Sequence, residues 1–236
     1  INLFSDAKAD VIGESSVLYL YSEEAPEKIL EWNDAARLII MLRDPVDFMY
    51  SLYLHNRNNL VEDQEDFEKA LSAEQDRKNG EKIPERCRFP LNLQYRTLAH
   101  YSNYLQNFIE HFARQQLKII IFDNFTQNTV QVYKDVLEFL DVSTDFNPDL
   151  DVRNKSRMIQ NEALHRVTKA VVNTLQKIPL KETLPLQMRR FIGNMILGLS
   201  STTNKKEMEP SLKTMLKDEM KPEVNRLNKM LHEEQL

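Results

Sequence analysis

The chain has 236 residues, 42% of them hydrophobic and 28% charged, with a formal net charge of -5. These values fit one substantial globular domain with room for a small subdomain, and they argue against nucleic acid or a strongly anionic polymer as partner. Cys87 is the only cysteine, which rules out an internal disulfide and a cysteine zinc site and favours a reducing, cytoplasmic compartment. No apolar run approaches the roughly 20 residues of a membrane span. Only four glycines occur, and none belongs to a G-x-x-x-x-G-K phosphate loop.

In chain order, residues 1–12 read as a turn or loop. Gly13-Glu14-Ser15-Ser16-Val17-Leu18-Tyr19 follows, placing one carboxylate at a loop ahead of a tyrosine-bearing apolar run. On the residues alone, Glu14 is a surface charge or a functional carboxylate. Ser22 to Trp32 predicts a short helix with Pro26 in its first turn. Leu38 to Leu42 is too short for a helix core and predicts a fully buried strand of a parallel sheet.

Arg43-Asp44-Pro45 stops that strand. Asp44 suits an N-cap and Pro45 the first helical position. From Val46 the pattern turns helical and places Phe48, Ser51, Leu52 and His55 on one face. A strand ending in arginine ahead of a helix start is a candidate anion site, built from free N–H groups and the Arg43 fork. The competing reading pairs Arg43 with a carboxylate and leaves Ser51 to solvent.

Asn58 to Glu65 reads as a polar loop, and 66–84 as a mostly polar helix with Phe67, Ala70 and Leu71 as its apolar stripe, ending near Gly80 and Pro84. Tyr95 to Arg114 predicts a strong amphipathic helix with Tyr101, Tyr104, Leu105, Phe108, Ile109 and Phe112 toward the core. Leu117 to Phe122 is a second buried strand, with Asp123 after it. Residues 129–140 form a helix with Val132, Tyr133, Val136, Leu137 and Leu140 on its apolar side. This order predicts an α/β fold: a mainly parallel central sheet flanked by helices, with ligands at the carboxyl ends of its strands.

Arg153, Lys155 and Arg157 make the densest basic cluster, either a solvated face or a ligand contact. The last third is helix-rich. One apolar stripe runs through Ala163, Leu164, Val167, Ala170, Val171, Thr174 and Leu175, and another through Met188, Phe191, Ile192, Met195, Ile196 and Leu199. A third, Leu212, Leu216, Val224, Leu227 and Leu231, continues to the end. The methionines of these stripes suit adaptable packing. No metal-ligand spacing occurs.

Arg43-Asp44-Pro45 with Tyr50-Ser51-x-Tyr53 resembles the 3′-phosphate-binding segment of sulfotransferases that use 3′-phosphoadenosine 5′-phosphosulfate (PAPS). Gly13 to Tyr19 is similar to a segment of the bacterial and heparan sulfate branch of that family. Phe67, Ala70, Leu71, Glu74 and Arg77 match an insert over the acceptor cleft in the bacterial members. The resemblance runs from about residue 1 to 157 and more weakly to the end. It implies a P-loop-like sulfotransferase fold and a single domain over 1–236, with a lid-like insert at 58–90 and a helical C-terminal part at 160–236.

The resemblance also implies PAPS as donor and adenosine 3′,5′-bisphosphate (PAP) as product. Arg43 and Ser51 would hold the 3′-phosphate, Glu14 would be the catalytic base, and the basic loop with Arg153 and Lys155 would close over the nucleotide. His55 is either a packed histidine or an acceptor contact. The acceptor implied is a small molecule, a lipid or a glycan, and no metal is called for. Two departures stand out: Phe48 occupies a position where relatives often carry a second arginine, and the basic loop lacks its usual glycine. A Lys-x-Gly-Thr-Thr-like phosphosulfate loop is implied ahead of Gly13, so the expectation is a domain incomplete at its N-terminus. A P-loop kinase or other phosphotransferase, or a nucleotide-binding module without catalysis, are the alternatives.

Overall fold

The computed structural model describes residues 11–146, 148–150, 158–159, 167, 201–202 and 207–233. The chain divides into two compact units. The first gathers Ile1–Met49, Arg96–Asp151 and Thr214–Leu236; the second gathers Tyr50–Tyr95 and Val152–Lys213.

In the first unit a 3₁₀ turn, Tyr19–Tyr21, leads into α1 (Ala25–Trp32), with Pro26 at its start as its fixed φ favours. Strand β1 (Leu38–Leu42) follows, then the start of α2 (Pro45–Asn58). Later the unit holds the main helix α6 (Tyr101–His111), strand β2 (Leu117–Ile121), and helices α7 (Phe122–Gln127) and α8 (Thr129–Leu140). The long closing helix α9 spans Pro210–Glu233.

Strands β1 and β2 pair in parallel, with Leu38 opposite Leu117 and Leu42 opposite Ile121. Their inward side chains, Ile40, Leu42 and Leu117, pack with Ala25 of α1, with Tyr101, Leu105 and Phe108 of α6, and with Phe112 and Leu227 in one apolar core. The predicted burial of both faces of β1 is not met by the described residues. Ile39 and Met41 remain 42% and 46% exposed. Successive strand side chains point to opposite faces, and the described core contacts gather on one of them.

The helix expected over 95–114 is two helices, α5 (Tyr95–Ala99) and α6, broken at His100. His100 gives α6 no side-chain cap. The cap comes from α9: the buried Glu223 carboxylate accepts from the Ser102 N–H at 2.8 Å and from the Ser102 hydroxyl at 2.7 Å. A negative charge suits the positive end of a helix. The stripe predicted on α9 holds: Leu212, Leu216 and Leu227 are buried, and Val224 and Leu231 half-buried. The apolar stripes expected between 163 and 199 lie outside the described residues, apart from an exposed Val167.

In the second unit the end of α2 is followed by α3 (Phe67–Ser72) and α4 (Glu74–Lys78). These two short helices replace the one predicted over 66–84. Gly80, at φ +86°, closes the pair in a left-handed conformation that only glycine adopts without strain. Tyr50, Tyr53, Phe67 and Tyr95 pack as a ring cluster with centroids 5.0 to 6.3 Å apart. Beneath it lies a charge pair that the polar sequence concealed. Arg77 donates from Nη1 to Glu62 Oε2 at 2.7 Å and from Nη2 to Glu62 Oε1 at 2.6 Å. The Tyr95 hydroxyl donates to Glu62 Oε2 at 2.7 Å, and the Gln64 N–H to Oε1 at 2.8 Å. Burial works against the Arg77 charge, but the hydrogen bonds and charge of Glu62 outweigh it and hold the guanidinium protonated. A two-residue antiparallel pair, β3 (Met158–Ile159) with β4 (Ser201–Thr202), belongs to the same unit.

The start of α2 yields a local prediction. Asp44 Oδ1 accepts from the Val46 and Asp47 N–H groups, both at 3.0 Å. Asp44→Ala is expected to cost about 1 kcal/mol, as loss of an N-cap does. A urea midpoint unchanged from the parent would contradict that.

Candidate functional site at the strand ends

Arg43 is the residue that follows β1, and Phe122 the residue that follows β2. Because Leu42 stands opposite Ile121, the register brings these next positions side by side. The Arg43 guanidinium carbon lies 5.1 Å from the centroid of the Phe122 ring, a cation–π contact. The Tyr101 phenol lies close enough to Arg43 to feel its charge. Burial first, then the charge of Tyr21, raises the Tyr101 pKa. The Phe48 ring meets Tyr101 edge-on at 5.5 Å. Phe48 is therefore a packing residue at the rim of the core.

Arg43 Nε is buried and has no hydrogen-bond partner among the described residues. No described carboxylate pairs with Arg43 either. The competing sequence reading, an arginine spent on a carboxylate, is not what the described residues show. A buried, unpaired guanidinium donor costs free energy that a bound oxyanion would recover.

The expected free N–H groups at the tip of α2 are absent, and that part of the anion site is corrected. Pro45 has no N–H, Asp44 Oδ1 takes those of Val46 and Asp47, and the Asp44 carbonyl takes that of Phe48 at 2.8 Å. The capping carboxylate also places a negative charge there. Anion-binding capacity therefore rests on side chains. Ser51 lies two turns into α2, about 9 Å along its axis. It is half-buried, and its hydroxyl bonds to no described residue.

Glu14 stands exposed in an irregular stretch. The neighbouring Glu14 carboxylate, with desolvation, raises the Tyr19 pKa. His55 is exposed on α2, with Nε2 2.9 Å from Asn59 Nδ2, and so is not the packed histidine that its helical face suggested. Asp123 is exposed in the first turn of α7, where the N-cap Ile121 makes no side-chain cap bond. Arg153, Lys155 and Arg157 lie outside the described residues.

The structure thus brings Arg43 together with two residues that sequence reasoning passed over, Phe122 and Tyr101. The pairing of two five-residue strands was the available signal for Phe122, since equal starts at Leu38 and Leu117 bring positions 43 and 122 abreast. Tyr101 was visible only as a core aromatic.

Residues 20–226 match the model of the sulfotransferase domain family. The chain is 31% identical over 149 residues to the bifunctional heparan sulfate N-deacetylase/N-sulfotransferase 3 of Mus musculus, covering 61% of this chain and 16% of that protein. It is 28% identical over 143 residues to the bifunctional heparan sulfate N-deacetylase/N-sulfotransferase 1 of Xenopus tropicalis, covering 59% of this chain and 15% of that protein. The chain therefore spans about a sixth of the length of these curated relatives. Among solved structures, a sulfotransferase from Alicyclobacillus acidocaldarius superposes with a TM-score of 0.54 at 27% identity, over 76% of this chain and 68% of that one. The parallel strand pair and its flanking helices are consistent with that α/β sulfotransferase fold.

Proposed function

Since the chain belongs to the sulfotransferase domain family, we propose that it moves a sulfuryl group from PAPS to a hydroxyl or amine of an acceptor. The observation that carries this reading is the buried Arg43 Nε, a donor at the carboxyl end of a parallel strand with no described partner. Arg43 grips the 3′-phosphate of the donor, and the uncommitted Ser51 hydroxyl adds a further hydrogen bond. That phosphate orients the nucleotide and distinguishes it from ordinary adenylates.

Glu14 acts as general base. It takes the proton from the acceptor as the acceptor oxygen or nitrogen bonds to sulfur, while the bond from sulfur to the 5′-phosphate oxygen breaks. The electron pair of that bond leaves on PAP. By the family resemblance, Arg153 and Lys155 are assigned to the nucleotide and His55 to the acceptor. The whole chain is read as one sulfotransferase domain of a cytoplasmic protein, the compartment argued from the single cysteine. The relatives' names specify heparan sulfate, a glycan, and this chain's acidity favours a neutral glycan over a polyanion; lipids and small alcohols belong in the same screen.

The test is sulfuryl transfer from PAPS to a panel of glycan, lipid and phenolic acceptors. Glu14→Gln should lower the rate about 10²- to 10⁴-fold, the usual worth of a general base, while PAP affinity stays within twofold. A Glu14→Gln protein that transfers sulfate at the parent rate removes Glu14 from the mechanism.

A further inference from the structure

We infer that Phe122 is a positioning residue for Arg43: its ring fixes the guanidinium so that its in-plane N–H donors face the nucleotide's 3′-phosphate. The inference rests on the proposed nucleotide site and goes beyond it by naming what aims that site's cation.

Arg43 is half-buried, and among the described residues no carboxylate holds its guanidinium. An arginine carries about 2 kcal/mol of rotamer freedom, so an unpaired one needs some other restraint to stay aimed. Phe48, in the first turn of α2, packs on Tyr101 and supplies no charge. Among the described residues, the Phe122 ring, 5.1 Å from Cζ, is the guanidinium contact that remains. A ring engages the guanidinium through its π face and uses none of the in-plane N–H donors. A carboxylate in the same place would consume the donors that the phosphate requires.

The ring is itself well placed to be rigid. Phe122 is the first residue of α7, directly after β2, and the residue before it, Ile121, pairs in the strand register with Leu42, the residue before Arg43. It is half-buried, and a second ring, Phe125, lies 6.4 Å away, one turn along α7. The pair of strands therefore sets the spacing between ring and guanidinium before any ligand arrives. That is preorganisation of a single-arginine phosphate site.

The experiment compares PAP and 5′-AMP binding by calorimetry in Phe122→Leu, Phe122→Trp and Arg43→Lys proteins. Leucine keeps the apolar bulk and loses the ring; tryptophan keeps a ring with a stronger face for cations. Phe122→Leu should weaken PAP binding roughly three- to thirtyfold, the worth of a cation–π contact. It should leave 5′-AMP affinity unchanged, and Phe122→Trp should restore PAP affinity. In the Arg43→Lys background, Phe122→Leu should have a smaller effect, because the planar fork that the ring aims is gone. Equal losses for PAP and 5′-AMP would show that the ring touches the base or ribose, and would overturn the inference. So would a Phe122→Leu protein with full PAP affinity. If Arg43→Lys itself leaves the preference for PAP intact, the nucleotide site has been misplaced, which is a separate failure from that of Phe122.

Discussion

Arg77→Ala is expected to lower the unfolding free energy by about 3–5 kcal/mol, the cost of breaking a buried ion pair from one side. Arg77 is 1% exposed, and both its side chain and that of Glu62 are fully shielded from water. Removing the guanidinium strands a carboxylate that the Tyr95 hydroxyl and the Gln64 N–H cannot neutralise. The partner change, Glu62→Leu in the Arg77→Leu background, should recover part of the loss because no buried charge then remains. Urea titration reads this as a large fall in midpoint at constant slope for the single variant and a smaller one for the double. A single variant within about 1 kcal/mol of the parent would mean that water reaches the pair.

Arg43→Ala should weaken PAP binding about thirtyfold or more, since truncating one partner of a desolvated, hydrogen-bonded charge pair costs 2–5 kcal/mol. Binding of 5′-AMP should change little, because the lost contact is to the 3′-phosphate. Arg43→Lys should fall between the two: it keeps a charge but loses the fork and the buried Nε donor. Ser51→Ala removes one hydroxyl and should cost about 1 kcal/mol, near fivefold in affinity. All three should unfold near the parent midpoint, as Nε meets no described acceptor. Equal losses for both nucleotides would place Arg43 away from the 3′-phosphate.

What the sequence disclosed was local. The run Leu38–Leu42, the Asp44-Pro45 helix start and the 129–140 helix are each written within a dozen residues, and each appears where the pattern put it. What it concealed depends on partners far along the chain. Glu74 and Arg77 look like the solvated side of a polar helix; only the fold brings Glu62, 15 residues back in a loop, against the guanidinium. The break at His100 is equally invisible, because the carboxylate that caps α6 comes from Glu223, 121 residues after Ser102.

At the site, Arg43 and Ser51 were legible from one contiguous stretch, whereas the Phe122 contact required the strand register. One local reading failed for a local reason. The Asp44 carboxylate that starts α2 so well also occupies the N–H groups that had been assigned to an anion.

The most direct measurement is calorimetric titration of the chain with PAP and, separately, with 5′-AMP, under the same salt conditions. The account predicts that PAP binds at least tenfold more tightly, the difference being the 3′-phosphate on Arg43. Equal affinity for the two nucleotides would contradict it, and would leave the strand-end arginine without the ligand its buried donor calls for.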